Sequence, residues 1–206
     1  MSIKVVIVDD HQLFIDGIVA ILRTDLSIEV VGQAHNGFEL LKYLESNPAP
    51  DIIMMDIRMP IMDGIMTSRI VTKEYPKIAI LALSMYTQEE DVQEMMNAGA
   101  KGYLVKNAGK KEMLEALYSL NNKKQFYSLE IREKMKNGTL IKSDIKKLTR
   151  REKEILDLIA QGRTSLQIAD TLSISKMTVD THRKNIHKKL GTTTNAGLIK
   201  YALQVK

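Results

Sequence analysis

Three acidic residues stand at the ends of two apolar runs: Asp9 and Asp10 follow Ile3-Lys4-Val5-Val6-Ile7-Val8, and Asp56 follows Ile52-Ile53-Met54-Met55. If the two runs are neighbouring buried strands, their ends gather three carboxylates in one crevice. Like charges that close raise one another's pKa unless a cation sits among them. A hard divalent ion answers that need, because Mg2+ takes one or two carboxylates, keeps waters and completes its shell with phosphate oxygen. Two further residues carry matching chemistry: Ser84 ends the run Ile80-Leu81-Ala82-Leu83, and Lys106 follows Gly102-Tyr103-Leu104-Val105. A hydroxyl can donate to one phosphoryl oxygen while an ammonium neutralises another. A carboxylate is a weak nucleophile toward phosphorus, but a metal and a lysine held in line make an aspartyl-phosphate accessible. Taken singly, an Asp after a strand is more often a helix N-cap, and a loop Ser or Lys is usually solvated. The signal is that all five fall at strand ends.

The elements that must position them are legible as an alternation. Short apolar runs near 3–8, 28–34, 51–55, 77–83 and 102–105 read as strands, and the stretches near 12–24, 37–46, 63–74, 88–97 and 109–121 read as helices. Five βα repeats predict an α/β fold, a five-stranded parallel doubly wound sheet buried on both faces. Two-sided burial explains continuous Val/Ile/Leu/Met runs, and most of the twelve methionines read as core filler. In sheets ordered 2-1-3-4-5, ligands bind beyond the carboxyl ends at the switch between strands 1 and 3, where Asp9, Asp10 and Asp56 fall.

Charge separates this part from the rest. Residues 1–121 hold 11 Lys+Arg against 17 Asp+Glu, net −6, whereas residues 122–206 hold 19 against 8, net +11. An acidic front and a basic back predict two domains with different partners, the second a nucleic-acid candidate. With no cysteine, neither a disulfide framework nor a thiolate metal site is available. The N-terminus lacks a signal-peptide pattern and no apolar run approaches spanning length, so the expectation is a cytoplasmic protein without membrane partners. The polar, basic stretch 122–146 reads as a linker, with one short helix near 128–136.

Residues 147–206 then predict an all-α domain of four helices. Thr149-Arg150-Arg151-Glu152 and Thr164-Ser165-Leu166-Gln167 match the capping-box pattern that opens a helix. Ser175 opens a third helix running to Leu190 and stopped by Gly191, and Thr193 or Thr194 opens a fourth to about Gln204. The second and third have the pattern of a helix-turn-helix. Val179, Ile186 and Leu190 fall on one side of the third helix; Met177, Thr181, Lys184 and Lys188 fall on the other, with Asp180 flanking them. A basic helix face is ordinarily just solvated, but its place in this motif favours a major-groove surface.

The front half resembles the receiver domain of two-component response regulators, over about residues 3–121. The resemblance rests on Val8-Asp9-Asp10-His11, on Asp56-Ile57-Arg58-Met59-Pro60-Ile61-Met62-Asp63-Gly64, on Leu83-Ser84 and on Lys101-Gly102-Tyr103-Leu104-Val105-Lys106. It implies that Asp56 accepts a phosphoryl group from the phosphohistidine of a partner histidine kinase or from a small acyl phosphate. It further implies that Asp10, Asp56 and the backbone carbonyl of Arg58 hold Mg2+, with Asp9 acting through water. Ser84 and Lys106 would contact the phosphoryl group, and Tyr103 would change rotamer as Ser84 is drawn inward; its alternative is an ordinary amphipathic residue at a strand edge. Residues 148–204 resemble the LuxR-type DNA-binding domain of the NarL/FixJ class, through Leu148-Thr149-Arg150-Arg151-Glu152, Ile168-Ala169, Ile174-Ser175, Thr178-Val179, Thr181-His182, Asn185-Ile186 and Lys189-Leu190-Gly191. That likeness implies that Asp180, Thr181 and Lys184 face bases, with Thr178, Arg183 and Lys188 nearer phosphates of double-stranded DNA. Two departures stand out: Asp180 where a lysine is common, which either accepts from a cytosine amine or repels phosphate, and Leu166-Gln167 where Lys-Glu is usual.

The expectation is a transcription factor, not an enzyme, whose dimerisation and DNA binding answer to phosphorylation of Asp56. Two rivals remain open. One is a DNA-binding protein whose receiver is an unphosphorylated platform; the other is a Mg2+-dependent phosphatase of the haloacid-dehalogenase type. The second requires another Asp two residues after its nucleophile on the first strand, which Asp9-Asp10-His11-Gln12 lacks.

Overall fold

The apolar runs of the front half become parallel strands, the central ones buried on both faces, whereas the run 28–34 lies at the sheet edge with Glu29 and Gln33 exposed. The computed structural model describes residues 2–85, 89–136, 148–190, 192 and 194–204, in two compact units, Met1–Thr139 and Leu140–Lys206. In the first, β1 (Ile3–Val8), β2 (Ile28–Ala34), β3 (Ile52–Asp56), β4 (Ala79–Ser84) and β5 (Gly102–Val105) alternate with α1 (Gln12–Leu22), α2 (Gly37–Ser46), α3 (Gly64–Glu74), α4 (Glu89–Asn97) and α5 (Lys110–Asn121). All pairings are parallel, and the strand order is β2-β1-β3-β4-β5-β6.

The alternation predicts five strands, and among the described residues the sheet has six. The sixth, β6 (Phe126–Tyr127), lies inside the stretch read as linker and is followed by α6 (Leu129–Lys136). Gly102 pairs with Phe126 and Tyr103 with Tyr127. Two residues in a basic, polar segment give no periodic signal, so only the tertiary pairing defines this strand. Residues 137–147, the start of α4 expected at 88 and the helix stop expected at Gly191 lie outside the described residues.

Alternation along the strands divides the core. Val5, Ile7, Ile52, Met54, Leu81, Leu83 and Leu104 pack with Ile15, Ile18 and Leu22 of α1 and with Met113, Leu117 and Leu120 of α5. Val6, Val8, Ile53 and Met55 point to the opposite face and are equally buried. The helices that carry the loops start at defined caps: the Asn36 side chain accepts from the Glu39 N–H, and the Asp63 carboxylate from the Met66 N–H at 2.8 Å. Gly64, first in α3, sits where a Cβ would come within 1.9 Å of the Asp56 carbonyl oxygen. Glycine at this position is what lets the β3–α3 loop close against the end of β3.

The second unit contains α7 (Arg150–Ala160), α8 (Ser165–Leu172), α9 (Lys176–Leu190) and α10 (Asn195–Gln204). Both predicted capping boxes form, Thr149 with Glu152 and Thr164 with Gln167. Ser173, in the left-handed region at φ 52°, ends α8, and Ser175 Oγ accepts from the Thr178 N–H to begin α9. The Thr194 hydroxyl accepts from the Gly197 N–H at the start of α10. Ile155, Ile159, Ile168, Val179, Ile186 and Leu198 form a core belonging to this unit alone.

Candidate functional site

The order of the sheet brings the carboxyl ends of β1 and β3 together, with β4 and β5 alongside. Asp9 and Asp56 are consequently neighbours, both buried. Lys106, one residue beyond β5, reaches between them: its Nζ lies 2.6 Å from Asp9 Oδ2 and 3.1 Å from Asp56 Oδ1. The Phe14 ring supports the ammonium, 4.7 Å from its centroid. Toward Asp9 Oδ2 the ammonium is at ion-pair distance but off the hydrogen-bond direction, so this buried oxygen has no aligned donor.

Asp56 Oδ1 accepts from the Ile57 N–H at 2.9 Å. Burial pushes the Asp56 carboxyl up to about 6, opposed by Lys106 and assisted by the Asp9 charge. Asp10 lies at the pocket mouth, and His11 Nδ1 stands 2.9 Å from Asp10 Oδ1 and 3.2 Å from Asp9 Oδ1. The ligand atoms of Asp9, Asp10 and His11 all lie within 4.8 Å of one another. The clustered carboxylate oxygens of Asp9 and Asp10 fit a hard divalent cation.

Ser84, the last residue of β4, is buried and shares a hydrogen bond with Tyr103. Tyr103 itself is fully enclosed, and burial pushes its phenol well above the ordinary tyrosine range. The ring therefore occupies the inward rotamer and is not a strand-edge residue. Sequence reasoning did not identify the neighbouring ion pair, in which Arg58, two residues after Asp56, donates to Asp91 Oδ2 of α4 at 3.0 Å. Asp91 is nearly buried, so the pair ties the β3–α3 loop to α4. The partners are thirty-three residues apart in the chain, and no local pattern joins them.

On α9, Met177, Asp180 and Lys184 are exposed and, with Lys176 and Thr181, line one shallow hollow. Lys188 is exposed, and Arg183 is half-buried and donates to Asn195 Oδ1 at 2.6 Å. Thr178 requires a correction. It is fully buried, with its hydroxyl 2.9 Å from that of Ser175, the residue that caps the helix, so it faces the core and not a phosphate. Asp180 accepts from Lys176 Nζ at 2.9 Å and is also hydrogen-bonded by Ser165 of α8. These donors hold its carboxyl below the usual range and partly neutralise the charge that would repel DNA. Thr181 bonds back to the Met177 carbonyl. His182 is buried beside Val179 and Ile186 in the helix's packing face.

The chain matches known families along most of its length. The response regulator receiver domain matches residues 5–118, and the luxR family of bacterial regulatory proteins matches residues 146–202. The transcriptional regulatory protein MctR of Rhizobium johnstonii is 36% identical over 205 residues, covering 98% of this chain and 94% of the relative. The response regulator protein VraR of Staphylococcus aureus is 34% identical over 205 residues, 99% and 98% of the two chains. Among solved structures, RcsB from Salmonella enterica serovar Typhimurium, bound to a promoter in the presence of the phosphomimetic BeF3-, aligns with a TM-score of 0.63 at 25% identity over all of both chains. Among the described residues, no helix is long and apolar enough to cross a membrane.

Proposed function

The chain belongs to the response regulators that join a receiver domain to a LuxR-type DNA-binding domain, and we propose that phosphorylation of Asp56 controls its dimerisation and its sequence-specific binding to DNA. It is a transcriptional regulator and not an enzyme. The observation that carries the proposal is Lys106 lodged between Asp9 and Asp56, at 2.6 and 3.1 Å, at the switch point of the sheet.

A carboxylate oxygen of Asp56 forms a bond to phosphorus as the P–N bond of a kinase phosphohistidine, or the P–O bond of an acyl phosphate, breaks. The imidazole leaves with a proton from water; the acyl group leaves as a carboxylate. Lys106 neutralises one phosphoryl oxygen and Ser84 donates to another. Asp9, Asp10, Asp56 and the backbone carbonyl of Arg58 would hold Mg2+, which supplies positive charge against the phosphoryl oxygens. The added charge of about −1.5 to −2 favours a receiver state with Ser84 turned to the phosphate and Tyr103 held inward. We place the protein in the cytoplasm, where a histidine kinase and DNA are both accessible.

The pKa of Asp56 gives this reading a pH signature. Its folded value, about 6, lies above the ordinary 3.8. In metal-free protein the ionised form is therefore disfavoured by folding. The stability this group contributes is greatest below pH about 4 and is lost as the pH rises through about 6. Only the carboxylate attacks phosphorus, so at low Mg2+ the initial rate of phosphorylation by acetyl phosphate is expected to rise with pH to a plateau, with a midpoint near 6. The midpoint should fall as Mg2+ is raised; one fixed near 4 at all Mg2+ concentrations contradicts the assignment.

DNA binding through α9 is tested with duplexes selected from a random pool. Lys184→Ala in the phosphorylated full-length protein is expected to weaken the selected duplex by about 10- to 100-fold, the range for one base-reading side chain. Lys188→Ala should weaken all duplexes alike and reduce the salt dependence by about one charge. Unchanged anisotropy titrations for both variants would remove α9 from the interface.

A further inference from the structure

We infer that Lys176 and Asp180 act together as a sequence-reading pair, setting a hydrogen-bond donor beside an acceptor to match the major-groove edge of one C·G base pair, an assignment that rests on the reading of α9 as the DNA-contacting helix.

Three observations support it. First, Lys176 Nζ lies 2.9 Å from Asp180 Oδ2. A C·G pair shows the major groove its cytosine N4 amine beside the guanine O6, and the Watson–Crick bond between them holds these atoms about 2.9 Å apart. The carboxylate therefore meets the second N4–H while the ammonium meets O6. An ammonium offers several donors and a carboxylate several acceptor positions, so their mutual bond leaves capacity for both contacts. Second, the carboxylate is held from two helices, because Ser165, the first residue of α8, also hydrogen-bonds Asp180. Both side chains nevertheless stay available, 60% exposed for Lys176 and 46% for Asp180, and with Met177, Thr181 and Lys184 they line a hollow of about 500 Å3. Third, the pair does little for the helix that carries it. A lysine at the first position of α9 opposes the helix dipole, and Lys preceding Asp is the less stabilising order at i, i+4.

Guanine adds a second acceptor, N7, on the lysine side, where an A·T pair places the thymine methyl group. C·G is therefore preferred to A·T, which otherwise shows the same donor and acceptor. Reversal to G·C sets O6 against the carboxylate, two acceptors with no proton between them. The competing view is that Asp180 meets no base and only repels phosphates. Its removal would then tighten every duplex alike.

The test uses full-length protein phosphorylated with acetyl phosphate, and duplexes that it selects from a random pool. Anisotropy titrations compare wild type with Asp180→Ala, Lys176→Ala and Lys184→Ala, all at exposed positions, and circular dichroism checks that each variant keeps the fold. N4-methylcytosine retains Watson–Crick pairing but puts a methyl group where the amine proton would meet Asp180, and 7-deazaguanine lacks N7. We expect one C·G pair of the selected duplex at which N4-methylcytosine weakens wild type at least about tenfold, within the range for one base-reading contact, and Asp180→Ala less than about threefold. At the same pair, 7-deazaguanine should weaken wild type at least about threefold and leave Lys176→Ala within about twofold. Lys184→Ala should bind more weakly while keeping both preferences. No C·G position sensitive to N4-methylation, or tighter binding of all duplexes by Asp180→Ala with base preferences unaltered, would overturn the Asp180 role while leaving α9 in the groove. Equal losses with 7-deazaguanine in wild type and Lys176→Ala would overturn the pairing of the two residues. Indifference of DNA binding to Lys184→Ala and Lys188→Ala would overturn the α9 reading together with this one.

Discussion

Lys106→Met is expected to slow phosphorylation by acetyl phosphate about 10²- to 10³-fold at saturating Mg2+, the range for removal of one preorganised charge donor from a transition state. Methionine keeps an apolar stem of similar length against the Phe14 ring, so the cavity stays filled and the change is chiefly electrostatic. Without the ammonium, Asp9 and Asp56 face each other as buried like charges. The carboxyl of Asp56 must then titrate above its present value of about 6. The midpoint of the pH–rate profile at low Mg2+ should therefore move upward in the variant while the plateau falls. A plateau within threefold of wild type, read from initial rates by intact mass, would show that Lys106 is only a structural counter-ion.

The second large effect lies in the other unit. Glu152 is 1% exposed and holds two elements at once: it accepts from the Thr149 N–H at 2.9 Å, closing the capping box of α7, and from Lys189 Nζ of α9 at 2.7 Å. Breaking a buried pair by removing one partner costs about 3 to 5 kcal/mol. Lys189 is 22% exposed and recovers part of its hydration, which places Glu152→Ala near the lower figure. For a four-helix unit of this size that is a large share of its stability. Hydrogen exchange of the α7 and α9 amides should accelerate by about a hundredfold or more, because each 1.4 kcal/mol is a factor of ten where exchange proceeds through unfolding of the unit. Glu152→Gln keeps an acceptor for the Thr149 N–H and should lie between the two. Exchange in the receiver amides serves as the internal reference. An Ala variant indistinguishable from wild type would mean that the pair holds nothing that packing does not already hold.

Much of this site was legible because its chemistry sits at strand ends and strands buried on both faces are easy to read. Asp9, Asp56, Ser84 and Lys106 follow from the ends of four continuous apolar runs, and the helix starts of the second unit follow from Thr149, Thr164 and Ser175. What escaped sequence reasoning shares one physical character, a dependence on partners distant in the chain. Phe126-Tyr127 becomes a strand only because Gly102 and Tyr103 pair with it. The Arg58–Asp91 bridge depends on the approach of α4 to the β3–α3 loop, which no spacing encodes. Thr178 was assigned toward phosphate by the family resemblance, whereas the Ser175 hydroxyl and the core turn it inward. The ambiguity over Asp180 is narrowed by Ser165 and Lys176, which supply it with donors.

The most direct test of the switch is the intact mass of full-length protein after incubation with acetyl phosphate and Mg2+, beside an Asp56→Asn control. The result expected is a single phosphoryl adduct in wild type, absent from the control and abolished by chelating the metal. An adduct of equal yield on the Asp56→Asn protein would contradict the assignment of Asp56 as the phosphoacceptor, and with it the control of dimerisation and DNA binding proposed to follow.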